Sequence, residues 1–162
     1  MKTSNKSFKI LIALAVLSVA AMVSSLCLTG GREVEFTPPP FDADAVAGTP
    51  SVPDGFGYGE FWQEGMTYRF SVCGNVTADG TEATLYFTNS EGNEVWLKLR
   101  VLDKGGKILG ETGLIKPGEY VEKVTLSGTF EAGTEIVLKV MGYEPETYYS
   151  AGSVSLRTKI GE

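Results

Sequence analysis

The chain has 162 residues, with 20 acidic and 14 basic side chains, and a net charge of −6. This acidic balance argues against a nucleic-acid partner, which needs a basic surface for its phosphates. There is no histidine, so the commonest general base and metal ligand is missing. The sequence predicts no metal site and no other cofactor.

The first predicted element is an apolar segment at residues 10–28, which contains no charged side chain and follows three lysines. Its 19 residues are close to the length that a transmembrane helix needs. Leu26 argues against lipid attachment at Cys27, because a lipoprotein signal has a small residue before its cysteine. Residues 1–29 are therefore expected to form an uncleaved signal anchor, with the rest of the chain outside the cell. Secretion after signal cleavage is the alternative.

Residues 30–59 are predicted to form an acidic, proline-rich linker. Five of the seven prolines lie here, together with Asp42, Asp44 and Asp54. Proline stiffens such a segment and the carboxylates keep it solvated. Phe41 and Val46 leave open that part of the linker docks on the following domain, because both side chains would otherwise be exposed.

Residues 60–162 are predicted to form a β-sandwich domain, because apolar and polar side chains alternate with the period of half-buried strands. Four segments alternate clearly: "MTYRFSV", "VWLKLRVL", "EIVLKVM" and "SVSLRTKI". Further strands are predicted at "ATLYFTN", "YVEKVTL" and, more weakly, "KILGET", and turns with glycine separate the strands. About seven strands at this spacing predict an all-β, immunoglobulin-like antiparallel sandwich after the N-terminal transmembrane helix. The predicted inward residues are Met66, Tyr68, Phe70, Val72, Val95, Leu97, Leu99, Val101, Ile136, Leu138, Val140, Val154, Leu156 and Ile160.

The sequence offers few candidates for catalytic residues. Cys73 shares the outward parity of Arg69 and Ser71, and without a histidine to activate it we expect a structural cysteine at a strand end. No glycine-rich phosphate loop opens a helix, and no pair of carboxylates stands out. We therefore assign no catalytic residue and do not expect an enzyme.

Aromatic residues give the strongest indication of binding. Tyr143, Tyr148 and Tyr149 lie in or beside the loop before the last strand, and Trp96 lies on the face opposite Leu97. Such rings can anchor a protein partner or stack on a sugar. A small domain also needs its aromatic side chains for burial, so plugging the ends of the sandwich is the competing interpretation. A second aromatic group, at residues 56–62, precedes the first predicted strand.

The run "VWLKLRVLDKGGKILGETGLIKPGEYVEKVTL", continued by "VLKVMGYEPETYYSAGSVSLRTKIG", resembles small exported proteins of unassigned function from Gram-positive bacteria. These proteins are associated with mobile-element and conjugation-type gene clusters, and the similarity extends over residues 37–161. The resemblance implies a membrane-tethered β-sandwich without catalytic activity. It implies no particular binding residues.

Three functions are consistent with these observations. The first is a cell-surface accessory module that is tethered by its N-terminal helix and binds a protein partner. The second is a carbohydrate-binding module for envelope glycans, which an exposed aromatic strip on a concave sheet would favour. The third is a small hydrolase, which a cluster of carboxylates with raised pKa in a cleft would favour.

Overall fold

The computed structural model describes residues 36–161. All the regular secondary structure in this range is β-strand. All the strands belong to the unit Pro38–Glu162, and of the unit Met1–Thr37 only Phe36 and Thr37 are described. The described range contains no helix able to span a membrane. The predicted anchor at residues 1–29 lies outside it.

Ten short strands form one mixed, curled sheet within the described range. Along the sheet their order is β1-β8-β5-β4-β10-β9-β6-β7, with β3 beside β5 and β2 beside β3. The bounds are β1 Val46–Ala47, β2 Tyr58–Phe61, β3 Phe70–Cys73, β4 Val76–Asp79, β5 Glu82–Asn89, β6 Trp96–Leu102, β7 Ile108–Glu111, β8 Glu119–Thr125, β9 Glu135–Tyr143 and β10 Ser150–Gly161.

The curled sheet has two halves, which pack face to face like a sandwich. We call β1–β5 with β8 the first half, and β6, β7, β9 and β10 the second half. The last residues of β10 pair in parallel with β4, Ile160 opposite Val76, and so join the halves. A bridge between Gly110 and Leu126 joins them again at β7 and β8.

The core between the halves confirms the predicted alternation. One buried cluster contains Phe70 and Phe87 of the first half together with Leu97, Leu99 and Leu138 of the second half. All five side chains are fully or almost fully buried. Burial of large apolar side chains from both halves supplies the main driving force for folding. The prediction of an all-β sandwich-like domain is therefore confirmed at this level.

The sequence interpretation was wrong in two details of the sheet. It expected about seven antiparallel strands, whereas the described range has ten and includes the parallel pair of β4 and β10. Strands of two to four residues, such as β1 and β4, are too short for a recognisable period. The expected linker boundary at residue 60 falls inside β2, which pairs with β3.

Cys73 is the last residue of β3 and its side chain is buried, as expected for a structural cysteine at a strand end. Only its parity differs from the expectation, because alternation places it on the outward side of β3. Tyr58 of β2 is its pairing partner, and the backbone of Phe56 and Gly57 accepts hydrogen bonds from the two residues that follow Cys73. These neighbours cover the end of β3, and the alternation of residues along one strand does not predict such neighbours.

Candidate functional site

Three aromatic rings from distant parts of the chain meet beside the start of β6. Trp96 lies between Phe41, whose ring centroid is 4.8 Å away, and Tyr148, whose ring centroid is 5.3 Å away. Both contacts are edge-to-face, with interplanar angles of 74° and 61°, the arrangement that the ring quadrupoles favour. We call Phe41, Trp96 and Tyr148 the aromatic cluster.

Backbone hydrogen bonds hold Phe41 in the aromatic cluster. The amide of Asp42 donates to the carbonyl of Leu114, and the amide of Leu114 donates to the carbonyl of Pro40, both at 2.9 Å. The Asp42 carboxylate accepts a 2.6 Å hydrogen bond from the amide of Gly113. The proline-rich segment therefore docks on the domain at this point, which the sequence had left open.

The ring of Phe41 also contacts a cation. Lys116 Nζ lies 4.9 Å from the ring centroid, within the range of a cation–π interaction. Phe41 nevertheless keeps 41% of its surface exposed. The cluster is thus an accessible apolar patch with a positive charge at its rim.

Replacing Gly113 by alanine is expected to displace Phe41 from Trp96. A methyl group at this position would lie 2.5 Å from the Asp42 Cα and 2.7 Å from the Phe41 carbonyl carbon, so the docked backbone must move. In a Trp62→Phe background, we expect Trp96 emission to shift to longer wavelength and acrylamide quenching to increase.

Gly128→Ala is the matched control, because nothing lies within 4 Å of its added methyl group. That variant should leave Trp96 emission unchanged. Equal spectra for Gly113→Ala and Gly128→Ala would show that Phe41 does not shield Trp96.

The loop after β9 positions the other side of the cluster. The Glu144 amide donates to the Tyr149 carbonyl at 2.8 Å, and the Tyr148 amide donates to the Glu144 carbonyl at 3.0 Å. Glu146 and Tyr148 have φ angles of 65° and 57°, a left-handed conformation that costs residues other than glycine roughly 1–2 kcal/mol each. The hydrogen bonds and the contact with Trp96 offset this cost and keep Tyr148 on the cluster.

The four predicted binding residues have different roles in the structure. Trp96 and Tyr148 are in direct contact, and Tyr143 is the pairing partner of Trp96 on β9. Tyr143 is partly buried, with its hydroxyl 3.9 Å from the Met141 sulfur. Tyr149 does not join the cluster and is 70% exposed. It is a second, exposed aromatic side chain of the same loop.

The second aromatic group of the sequence lies elsewhere. Phe56 packs edge-to-face on Tyr86, and Phe61 packs on Phe70 of the core. Trp62 is 49% exposed and has the Arg69 guanidinium 5.4 Å from its ring centroid. These residues therefore mainly close the first half of the sheet, as the burial interpretation predicts.

A buried asparagine that sequence analysis did not identify supports the cluster. The side-chain amide of Asn89 donates to the carbonyl oxygens of Val95 and Ile115, at 2.9 and 3.0 Å. Its side-chain oxygen accepts a hydrogen bond from Asn93. Val95 precedes Trp96, so Asn89 fixes the backbone that presents this ring. Its position at the end of an apolar strand gave no sequence signal for this role.

Two titratable side chains, Cys73 and Glu135, have pKa values that their local contacts shift in opposite directions. Burial raises the pKa of the Cys73 thiol to about 11, so it is protonated at neutral pH, the weakly nucleophilic form. A hydrogen bond from Lys104 and its charge lower the pKa of Glu135. Within residues 36–161, no three Cys, Asp or Glu side chains are grouped to hold a metal ion.

Comparisons with known proteins do not assign a family. No family model and no curated protein matches the chain. Among solved structures, it is similar to a β-glucuronidase from Ruminococcus gnavus, both without ligand and in complex with uronic isofagomine. The match covers 56% of this chain and 15% of the glucuronidase, with 19% identity and a TM-score of 0.37. At this level the likeness carries no conclusion about function.

Proposed function

We propose that this protein is a membrane-tethered extracellular module that binds a protein partner at the cell surface. The observation that carries the proposal is the aromatic cluster, with Lys116 beside Phe41 and the exposed Tyr149 next to Tyr148 in the same loop. The tether and the export are supported by the uncharged segment at residues 10–28. We further propose that the curled sheet is a variant of the immunoglobulin-like sandwich, in which end loops commonly carry binding residues.

The composition and rigidity of the patch suit a protein interface. Tyrosine and tryptophan dominate interface hot spots because they offer a large contact area with few torsions to immobilise. Trp96 and Phe41 are held by strand pairing and backbone hydrogen bonds, so binding costs little ordering. Lys116 lies beside Phe41, and the loop that carries Tyr148 also exposes Glu144 and Glu146, charged groups of the kind that form the polar rim of such interfaces.

The geometry of the rings favours a protein partner over a neutral sugar. A sugar stacks on a flat ring face, and several sugars need rings that lie in one plane. Here Trp96 meets both neighbours edge-to-face, so the three rings do not lie in one plane. Rings in different orientations suit the apolar side chains of a protein hot spot better than they suit a stack of sugars.

The test is partner capture with matched surface variants of the full chain in neutral detergent. We expect cross-linking on the source cells to yield a protein whose affinity falls about 30-fold with Tyr149→Ala, as for a hot-spot residue. Trp62→Ala removes another exposed ring, on the first half of the sheet, and should leave the affinity unchanged.

Circular dichroism and urea unfolding should show that both variants stay folded. The proposal is wrong if Tyr149→Ala and Phe41→Ala bind the captured protein as tightly as the wild type. It is also wrong if the chain retains no protein and binds neutral envelope glycans instead.

A further inference from the structure

Positive charge is concentrated on the second half of the sheet, although the chain as a whole is acidic. Of the ten lysine and arginine side chains in residues 36–161, seven lie on β6, β9, β10 or the turn between β6 and β7. The same elements carry two acidic side chains, Asp103 and Glu135, and Glu111 lies on the neighbouring β7. The seven cations are Lys98, Arg100, Lys104, Lys107, Lys139, Arg157 and Lys159.

Strand register places the cations of β6, β9 and β10 in a line on the outer face. Arg100 is opposite Lys139, and Lys139 is opposite Ser155 of β10. Arg157 and Lys159 follow at alternate positions of β10, while Leu156 between Ser155 and Arg157 packs toward the core. From strand spacing and rise, the line runs diagonally for roughly 16 Å, with successive Cα atoms about 5–8 Å apart. We call Arg100, Lys139, Arg157 and Lys159 the cationic track.

Most of this charge has no partner inside the described part of the protein. Among residues 36–161, Lys139, Arg157 and Lys159 have no carboxylate within 4 Å, whereas Arg100 shares Glu111 with Lys98. On the first half of the sheet, by contrast, Arg69 and Lys123 each pair with a glutamate. An anionic ligand on the track would therefore gain charge–charge attraction without breaking more than one internal ion pair.

A cleft lies at the end of the track. It has a volume of about 400 Å³, and its lining includes Lys104, Val137, Arg157 and Lys159. Glu135 in the same cleft pairs with Lys104 at 3.1 Å, and the charges of Lys159 and Arg157 also act on its carboxylate. The cleft thus sets three basic side chains against one carboxylate beside an apolar side chain, and its volume is large enough for a sugar unit of a longer polymer.

From these features we infer that the outer face of the second half binds a linear anionic polysaccharide, one carrying carboxylate or phosphate groups on its repeating units. The spacing of the track matches charges repeated along an extended chain. The positions between the cations hold Ser155, Val137 and Leu102, which offer no ring on which nucleic-acid bases could stack. A membrane surface could not enter the cleft, and it prefers faces with several exposed apolar anchors. This site is separate from the aromatic cluster and does not depend on the proposed protein partner.

The test measures binding of fluorescent oligogalacturonate, a linear carboxylate polymer, to the full chain in neutral detergent. We expect binding that weakens with added salt, and no binding of neutral dextran of equal length. The double variant Lys139→Gln/Arg157→Gln should lose at least tenfold in affinity. Arg69→Gln/Lys123→Gln removes the same charge from the first half and should bind as the wild type does.

Two further probes test the class of ligand. Single-stranded DNA should bind more weakly than oligogalacturonate. The proposed anchor would insert into any vesicle, so the lipid probe compares detergent-free anionic with neutral vesicles, and the wild type should prefer the anionic ones no more than Lys139→Gln/Arg157→Gln does. The inference is overturned if oligogalacturonate does not bind, if both double variants bind it equally well, if DNA binds more tightly through the same two residues, or if these residues create a preference for anionic vesicles. Far-UV circular dichroism of each variant confirms the fold. Arg157 is exposed and Lys139 is half-buried on the outer face of the sheet, and glutamine keeps most of each side chain, so we expect both variants to fold.

Discussion

Replacing Tyr68 by alanine should lower the free energy of unfolding by roughly 3–5 kcal/mol, as for other large truncations in a core. Tyr68 is buried just before β3, in the first half of the sheet. Its hydroxyl lies 3.4 Å from the Val140 carbonyl oxygen and 3.2 Å from that of Gly152. The side chain therefore links the first half to β9 and β10, which carry the tyrosine loop between them.

Two other variants separate the contributions of Tyr68. Burial raises the pKa of its phenol, so at neutral pH the hydroxyl keeps its proton and can donate. Tyr68→Phe keeps the ring and should cost only about 1 kcal/mol, the net value of a hydrogen bond. Tyr149→Ala, at an exposed position, should cost less than ~1 kcal/mol. Urea unfolding measures all three, and equal losses for Tyr68→Ala and Tyr68→Phe would show that ring packing contributes little.

Replacing Glu111 by alanine should cost about 3 kcal/mol, near the lower end for a broken buried ion pair because Glu111 itself remains partly exposed. Lys98 is only 5% exposed, and its Nζ lies 2.8 Å from Glu111 Oε1. Without Glu111 the ammonium group would be desolvated and unpaired, because the other basic neighbour of Glu111, Arg100, has the same sign. Urea unfolding at neutral pH measures the loss.

The compensating variant is Lys98→Met/Glu111→Ala. An apolar side chain at position 98 removes the buried charge, so the double variant should recover much of the stability lost in Glu111→Ala. If the double variant is as unstable as Glu111→Ala, the unpaired charge of Lys98 is not the cause of the loss.

The same ion pair predicts a loss of stability in acid. Burial raises the pKa of the Glu111 carboxyl, but hydrogen bonds and charge from Lys98 and Arg100 outweigh it, so the net pKa is lowered. A carboxyl with a lowered folded-state pKa stabilises the protein above its unfolded-state pKa, which for glutamate is near 4.5. This stabilisation is lost as the pH falls from about 4.5 through the lower folded-state pKa of Glu111. Unfolding curves in this range should be less pH-dependent for the double variant than for the wild type.

Sequence alone determined which side of most strands faces the core. Leu97, Leu99, Leu138 and Val140 are buried as their alternation predicts, because the two faces of a strand alternate at every residue whatever strand lies beside it. The turns that separate these strands were also recognisable, since glycine at positive φ, as at Gly106 and Gly118, has a local steric cause. The predicted anchor and linker likewise rest on local composition.

Tertiary structure alone decided what covers each outward face and which distant residues meet. Lys98 is on the outward side of β6, as predicted, yet it is buried beside Glu111. Phe41 reaches Trp96 only because residues 40–42 form hydrogen bonds with the backbone of Gly113 and Leu114, more than 70 residues away in sequence. Alternation reports the face of a residue but not its neighbours across the sheet, because strand pairing joins segments that are far apart in sequence. The aromatic cluster and the cationic track both arise from that pairing.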